Sequence, residues 1–364
     1  MRFNYNIINC IFTCPAGEGG DLSDDTTGGV GGGADGGAEG EWIDIPTVND
    51  RDAEKFKHVG IQADLDSNDG SVVSSLLSSD RRLFSCTGIH SIKLLNALSK
   101  SVDQIAAESP LKKFLLCTRD RIILTMMKIK LAISYSSNAA IFGLNNGQTC
   151  ANYFYDTVVL LHKVLKCMVF WPGKEDVLKN MPKCFNGFKC TRVILDACEV
   201  NVEKPKCIVC RVRLYSQYKK NFTAKIMMMC SPSGLITHCA GAFGGRASDK
   251  IVTKHTGIYG MCDPGDGLMV DKGFNIDEEC QNGLFALIRP PFQRNKKYTK
   301  AESVHCAKVA RARVHVERVI QRVREYELLA SKVPWYVCPY LNDIVVIVSA
   351  LVNLGNPIMA RDKY

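Results

Sequence analysis

No apolar run in the sequence reaches the roughly 20 residues that a membrane-spanning helix needs, and the most apolar stretch, Ile344 to Leu354, falls well short of that. The opening segment, Met1 to Cys14, contains Ile7, Ile8, Ile11 and Phe12. Asn4, Asn6 and Asn9 interrupt it and it has one basic residue, so it makes a poor signal-peptide core. Neither secretion nor a membrane role is expected. The chain also lacks the even, closely spaced cysteine set of a small secreted scaffold. Its 17 cysteines are an odd number spread over 364 residues, which reads as mostly reduced thiols in an intracellular protein. Cys207 and Cys210 form a single CxxC with neither a second CxxC nor a spaced His pair, so zinc is not expected there.

What the chain does have is an apolar content of 46%, enough for a real core, and a marked division of charge. Residues 1–80 carry 15 Asp/Glu against 4 Lys/Arg, a net charge of −11, and since the whole chain is +9, residues 81–364 stand at +20. A basic body suits a polyanion partner, because Lys and Arg gain most by displacing counterions from phosphates. Ordinary solubilising charge is the plainer alternative. Residues 17–40 hold 11 glycines among Asp and Glu, a composition that cannot repay the entropy of ordering. A disordered leader over residues 1–78 is expected.

Beyond it, Leu83, Phe84, Ile89, Ile92, Leu94, Leu95 and Leu98 are spaced for helix, and a helical region is predicted over 79–187. Within it, Arg119–Ile133, Ser136–Phe142 and Gly147–Lys166 have helix-turn-helix spacing, with Gly143 and Asn145–Gly147 supplying the second turn. Such a unit can lay its third helix in a major groove. Three-helix packing without nucleic acid produces the same spacing, and the third helix has few basic side chains.

From Thr191 the texture becomes that of strands. Val193-Ile194-Leu195-Asp196-Ala197-Cys198 is an apolar run interrupted by one carboxylate. Ala224–Cys230 and Leu235–Phe243 are joined by Ser231-Pro232-Ser233-Gly234, a hairpin signal. A short helix capped by Ser248 or Asp249 and reaching about Lys254, strands at Gly267–Val270 and Leu284–Ile288, and a basic helix over Lys300–Ser331 follow. That last helix carries Ala312, Val316, Val319, Val323 and Tyr326 as its apolar stripe, and Arg311, Arg313, Arg318, Arg322 and Arg324 are assigned to its polar side. This order predicts an α/β fold, a mixed sheet flanked by helices, over 188–355, with 356–364 as a tail.

Three acids stand where chemistry would use them: Asp196 inside a strand, Asp271 at the end of another, and Glu317 on the long helix. Only the fold could bring together residues so far apart in sequence. Mg²⁺ prefers carboxylate oxygens, and two such ions about 4 Å apart can activate a nucleophile and stabilise a leaving oxygen in phosphodiester cleavage. The alternative is that each acid caps or pairs; an unpartnered carboxylate in the apolar strand would be costly.

These residues also carry a resemblance. Ile194-Leu195-Asp196-Ala197-Cys198-Glu199, Ser216-Gln217-Tyr218-Lys219, Gly244-Gly245-Arg246-Ala247-Ser248-Asp249-Lys250, Val270-Asp271-Lys272-Gly273-Phe274 and Arg313-Val314-His315-Val316-Glu317-Arg318-Val319-Ile320 occur in the order of the DDE endonuclease domain of Harbinger-like transposases. Arg82-Leu83-Phe84-Ser85-Cys86-Thr87-Gly88 and Met181-Pro182-Lys183-Cys184-Phe185 extend the resemblance over roughly 80–355. It implies an RNase H-like fold, double-stranded DNA as substrate, and Asp196, Asp271 and Glu317 as the catalytic, metal-holding triad for Mg²⁺ or Mn²⁺. Glu199 and Asp249 are secondary motif acids whose roles stay open. Cys198 stands where Thr is usual, and no zinc-finger DNA-binding module is visible upstream.

Lys219, Arg246, Lys272 and Arg318 are the expected DNA contacts. Arg211, Arg213, Lys219, Lys220 and Lys225 alternate with Tyr215, Tyr218 and Phe222, a pattern that serves phosphate contact or a solvated strand face equally. His315 is expected to be a packed side chain. The resulting expectation is a nuclear, metal-dependent DNA endonuclease and strand transferase, acting as a homo-oligomer on DNA, with a separate accessory protein a candidate source of DNA binding. The Arg294-Asn295-Lys296-Lys297 string is too weak to count as a localisation signal. The rival is a domesticated transposase that binds DNA or protein and no longer cuts.

Overall fold

A computed structural model describes residues 73, 77–107, 114–292 and 298–358. The expected leader lies outside these residues apart from Val73, Leu77 and Ser78, as do residues 294–297 and the end of the tail. The described part opens with helices α1 (Asp80–Thr87), α2 (Ile92–Ala107), α3 (Thr118–Leu131), α4 (Tyr135–Ile141), α5 (Gly147–Leu165) and α6 (Lys174–Lys179). The three helices predicted between residues 119 and 166 are therefore found to within about two residues.

Side-chain caps explain those boundaries. Ser134 Oγ accepts from Ser137 N at 3.0 Å to start α4, and Asn146 Oδ1 accepts from Thr149 N at 2.8 Å to start α5. Helix α3 is buried along Asp120–Ile129 and runs through the middle of the helical layer. Helix α5 buries Cys150, Phe154, Val158 and Leu161 and exposes Gln148, Asn152, Val159 and Lys163.

The chain then enters the sheet through β1 (Thr191–Asn201), followed by α7 (Ile208–Leu214), β2 (Tyr215–Ser216), β3 (Asn221–Cys230), β4 (Ile236–Gly244), α8 (Asp249–His255), β5 (Gly267–Met269), α9 (Asp277–Asn282) and β6 (Ala286–Ile288). The sheet order is β2-β3-β1-β5-β6, with β4 also paired to β3. β1, β3 and β4 are antiparallel neighbours, while β5 runs parallel to β1 and β6 parallel to β5. The result is a mixed sheet, as expected. Asp266, fully buried just before β5, pairs with Lys174 at 2.6 Å and Arg192 at 3.4 Å and ties that strand to α6 and β1.

Alternation along β1 divides the interior. Ile194, Cys198 and Val200 belong to the larger core, shared with the helical layer and the C-terminal helices. Val193 and Leu195 point the other way, into a smaller core with Val252 of α8, Phe274 and Cys280.

The C-terminal part departs from expectation at two points. The basic helix, α10 (Lys300–Arg324), starts from a Thr299/Glu302 capping box but ends at Arg324 instead of Ser331. Tyr326 turns inward there, 3% exposed, and its hydroxyl donates to the Gly88 carbonyl at 3.2 Å. Gly88 has φ +74°, and a Cβ on it would lie 2.4 Å from that hydroxyl, so only glycine fits the contact. A short α11 (Glu327–Ala330) follows.

The second departure is the apolar segment judged too short to span a membrane. A 3-10 stretch, Trp335–Tyr340, runs directly into α12 (Leu341–Asn353). Together they form a 19-residue helical run, Trp335–Asn353, long and apolar enough to cross a membrane by length and composition. Pro339 hides this continuity in the sequence. Most of the run is buried within the protein, where Leu341, Ile344, Ile347, Val348 and Leu351 are fully enclosed in the larger core. It packs against α5, α10 and β4.

The cysteines from Cys86 to Cys338 are free thiols, with no disulfide among the described residues. Cys207 caps α7, its Sγ accepting from Cys210 N at 3.4 Å. Hydrogen bonding from Cys210 draws the Cys207 thiol below its ordinary range. His315 is buried beside Cys184, Nε2 to Sγ 3.1 Å, and tilts against Phe185.

Candidate active site

The parallel register of β1 and β5 brings two of the three acids together. Ile194 stands opposite Met269, and Val270 continues the ladder by donating to the Ile288 carbonyl at 3.0 Å. Two residues further on from Ile194 and Met269 are Asp196, still within β1, and Asp271, just past the end of β5. Alternation puts Asp196 on the face of the sheet that α10 covers, and Arg313 of α10 reaches both acids. Its Nη1 donates to Asp271 Oδ1 at 2.9 Å and its Nη2 lies 3.5 Å from Asp196 Oδ1. Asp271 Oδ1 also accepts from the Lys272 amide at 2.7 Å.

The side chains of Asp196, Arg313 and Asp271 are 24%, 12% and 54% exposed. The site thus grades from the strand interior to water. Burial pushes the Asp196 carboxyl up to about 6; Arg313 works against that rise, and the negative charges of Asp271 and Glu317 add to it. Glu317 is exposed, one turn beyond Arg313 on α10, and enters the same field. As the side chains stand, no group of three or more His, Cys, Asp or Glu among the described residues is placed to hold a metal ion.

The donor set nevertheless suits a hard divalent cation, which takes carboxylate oxygens, and a guanidinium already occupies a cation position between Asp196 and Asp271. Asp196, Asp271 and Glu317 are the side chains that would hold such an ion.

Glu199 and Asp249 form a separate cluster. An odd spacing from Asp196 turns Glu199 to the opposite face of the sheet, toward α8. There Lys225 Nζ donates to Asp249 Oδ1 at 2.9 Å and to the Ala247 carbonyl at 2.8 Å, and lies 4.0 Å from Glu199 Oε1. Thr223 Oγ1 donates to Glu199 Oε2 at 2.8 Å. Lys225, read from the sequence as either a phosphate contact or part of a solvated strand face, is instead 8% exposed and bound by these acids.

Of the expected DNA contacts, Lys272 adjoins Asp271 and its Nζ donates to Tyr298 Oη at 3.4 Å. Arg318 follows Glu317 on the exposed side of α10. Lys219, over the ring of Tyr218 at 5.1 Å, and Arg246 lie at the β2–β3 and β4 ends of the sheet. Arg313 leaves the polar face to which the sequence assigned it, whereas Arg324 stays exposed there with its Nη2 3.8 Å from Cys198 Sγ. The role of Arg313 is the functional feature the sequence reading missed. Its spacing with Val309, Val316 and Ile320 is the signal that it borders the buried stripe.

Residues 195–353 match the DDE superfamily endonuclease family model. The matched segment starts one residue before Asp196, runs to the end of α12, and includes Asp271, Arg313 and Glu317, together with Glu199, Lys225 and Asp249. The matched segment thus contains the whole acid site and leaves the helices from α1 to α6 outside it. No curated protein and no solved structure matches the chain.

Proposed function

We propose that the protein is a transposase-type, metal-dependent DNA endonuclease and strand transferase of the Harbinger-like group. The observation that carries this reading is that a segment matching DDE endonucleases brings Asp196 and Asp271 to one cation, with Glu317 a turn away on α10. The strand order supports an RNase H-like architecture: three antiparallel strands, then two parallel strands beyond β1.

Bound Mg²⁺ or Mn²⁺ would supply Lewis acidity to phosphodiester cleavage and to the later attack by a freed 3′-hydroxyl. Asp196 fixes the inner end of the site, because β1 holds it rigidly. Asp271 and Glu317 offer carboxylates at the solvent edge. Lys272 and Arg318 flank those two acids and are assigned to the DNA backbone, Lys219 and Arg246 to duplex lying further along the sheet. Double-stranded DNA as partner, assembly of copies on DNA, an accessory DNA-binding protein and action in the nucleus belong to this reading. Helix α5 offers a groove one cation, Lys163, on its exposed face, so the basic body is the stronger candidate for DNA contact.

A second reading, a domesticated transposase that binds without cutting, is favoured by one observation: the Arg313 guanidinium already occupies two of the three acids. A plasmid-nicking assay with Mg²⁺ or Mn²⁺ separates the two. Under the first reading the wild type nicks and Asp196→Ala does not; absence of metal-dependent nicking by folded, DNA-bound wild type supports the second.

A further inference from the structure

We propose that Arg313 is an exchangeable counter-ion, holding the Asp196 and Asp271 carboxylates whenever no divalent ion is bound and giving up that position to the metal. The inference rests on the nuclease reading, in that it concerns the same acid site. Its basis is the position of one guanidinium between two acids contributed by different strands, 2.9 Å from Asp271 and 3.5 Å from Asp196.

Both contacts occupy carboxylate oxygens that a hard cation would take. Asp196, largely buried in an apolar strand, needs a positive partner to remain charged. The partner here is on a long side chain that can withdraw by rotamer change while α10 stays fixed by its buried stripe of Val309, Val316 and Ile320. The approach is also asymmetric. Arg313 makes a hydrogen bond to the exposed acid and only an ion-pair contact with the buried one.

Charge counting points the same way. Three ionised carboxylates and one guanidinium leave −2, enough to neutralise a single divalent ion. Two divalent ions would leave +2 with the guanidinium in place and +1 once it has left, so its withdrawal lowers the cost of a second ion. The same exchange makes Arg313 available to a DNA phosphate at the moment the metal is loaded, which would couple metal binding to substrate contact.

The test uses the full chain and Mn²⁺ binding followed by loss of the free-ion electron paramagnetic resonance signal, comparing wild type, Arg313→Gln and Asp196→Asn. Removing a unit charge from about 4 Å should tighten Mn²⁺ binding at least about ten-fold in Arg313→Gln, and Asp196→Asn should lose the site. In the wild type, the Arg313 guanidinium resonance should shift as Mg²⁺ is titrated, a readout that stands even if Arg313→Gln fails to fold. An Asp196-dependent site that folded Arg313→Gln binds no more tightly, or a guanidinium resonance unmoved at saturating Mg²⁺, overturns this inference alone. Absence of an Asp196-dependent site in both wild type and Arg313→Gln overturns the nuclease reading, and this inference with it.

Discussion

Asp196 of β1 and Asp271, just past β5, meet through one guanidinium because the parallel register pairs Ile194 with Met269 and carries both strands two residues further on the same face. Sequence distance is thereby converted into a shared electrostatic site, and its consequences can be measured.

The first concerns pH. Burial raises the Asp196 carboxyl to about 6 from 3.8. A folded-state value above the unfolded one means that the protonated form favours the fold, and that this contribution is lost as pH rises from about 4 through 6. In EDTA, Asp196→Asn should therefore raise thermal stability at pH 7, by at most about 3 kcal/mol given the size of the shift, and change it little at pH 4. Melting curves at the two pH values check this; equal effects at both would contradict it.

The second concerns Lys225, which is buried and holds Asp249 and the Ala247 carbonyl beside Glu199. Lys225→Met should destabilise the fold by roughly 3–5 kcal/mol, because acids are left without their cation. Adding Asp249→Asn to Lys225→Met should recover part of that loss in denaturant titrations, a coupling that a surface lysine would lack.

Much of this arrangement was legible in the sequence. The carboxylate inside Val193–Cys198, the hairpin, the helices α3, α4 and α5 and the apolar stripe of α10 all follow from local periodicity and turn residues, and each appears within a few residues of its expected place. What periodicity could not say is which partner a border residue meets. Arg313 and Lys225 look like solvated or phosphate-facing cations until strand register supplies the acids around them. Tyr326 fits the helical stripe, yet its hydroxyl is drawn to Gly88, far away in sequence, and the helix ends before it. Helix α7 is short and exposes Ile208, Val209 and Val212, so no amphipathic pattern announced it.

The third prediction addresses DNA contact. Arg318 adjoins Glu317 on the exposed side of α10, where a phosphate contact would be independent of sequence. Arg318→Ala should weaken binding of unrelated duplexes by similar factors and lower the salt slope of log K by about one phosphate's worth. A loss confined to one DNA sequence would point to base reading instead.

The most direct test of the central claim is to measure cleavage and metal-free DNA affinity on the same preparation of Asp271→Ala. Removing this acid relieves repulsion toward phosphate while taking away a proposed metal ligand. Metal-dependent cutting should disappear, and affinity in EDTA should stay the same or rise slightly. Wild-type cleavage by the folded variant, or loss of metal-free DNA binding, would contradict the assignment of Asp271 as a metal ligand.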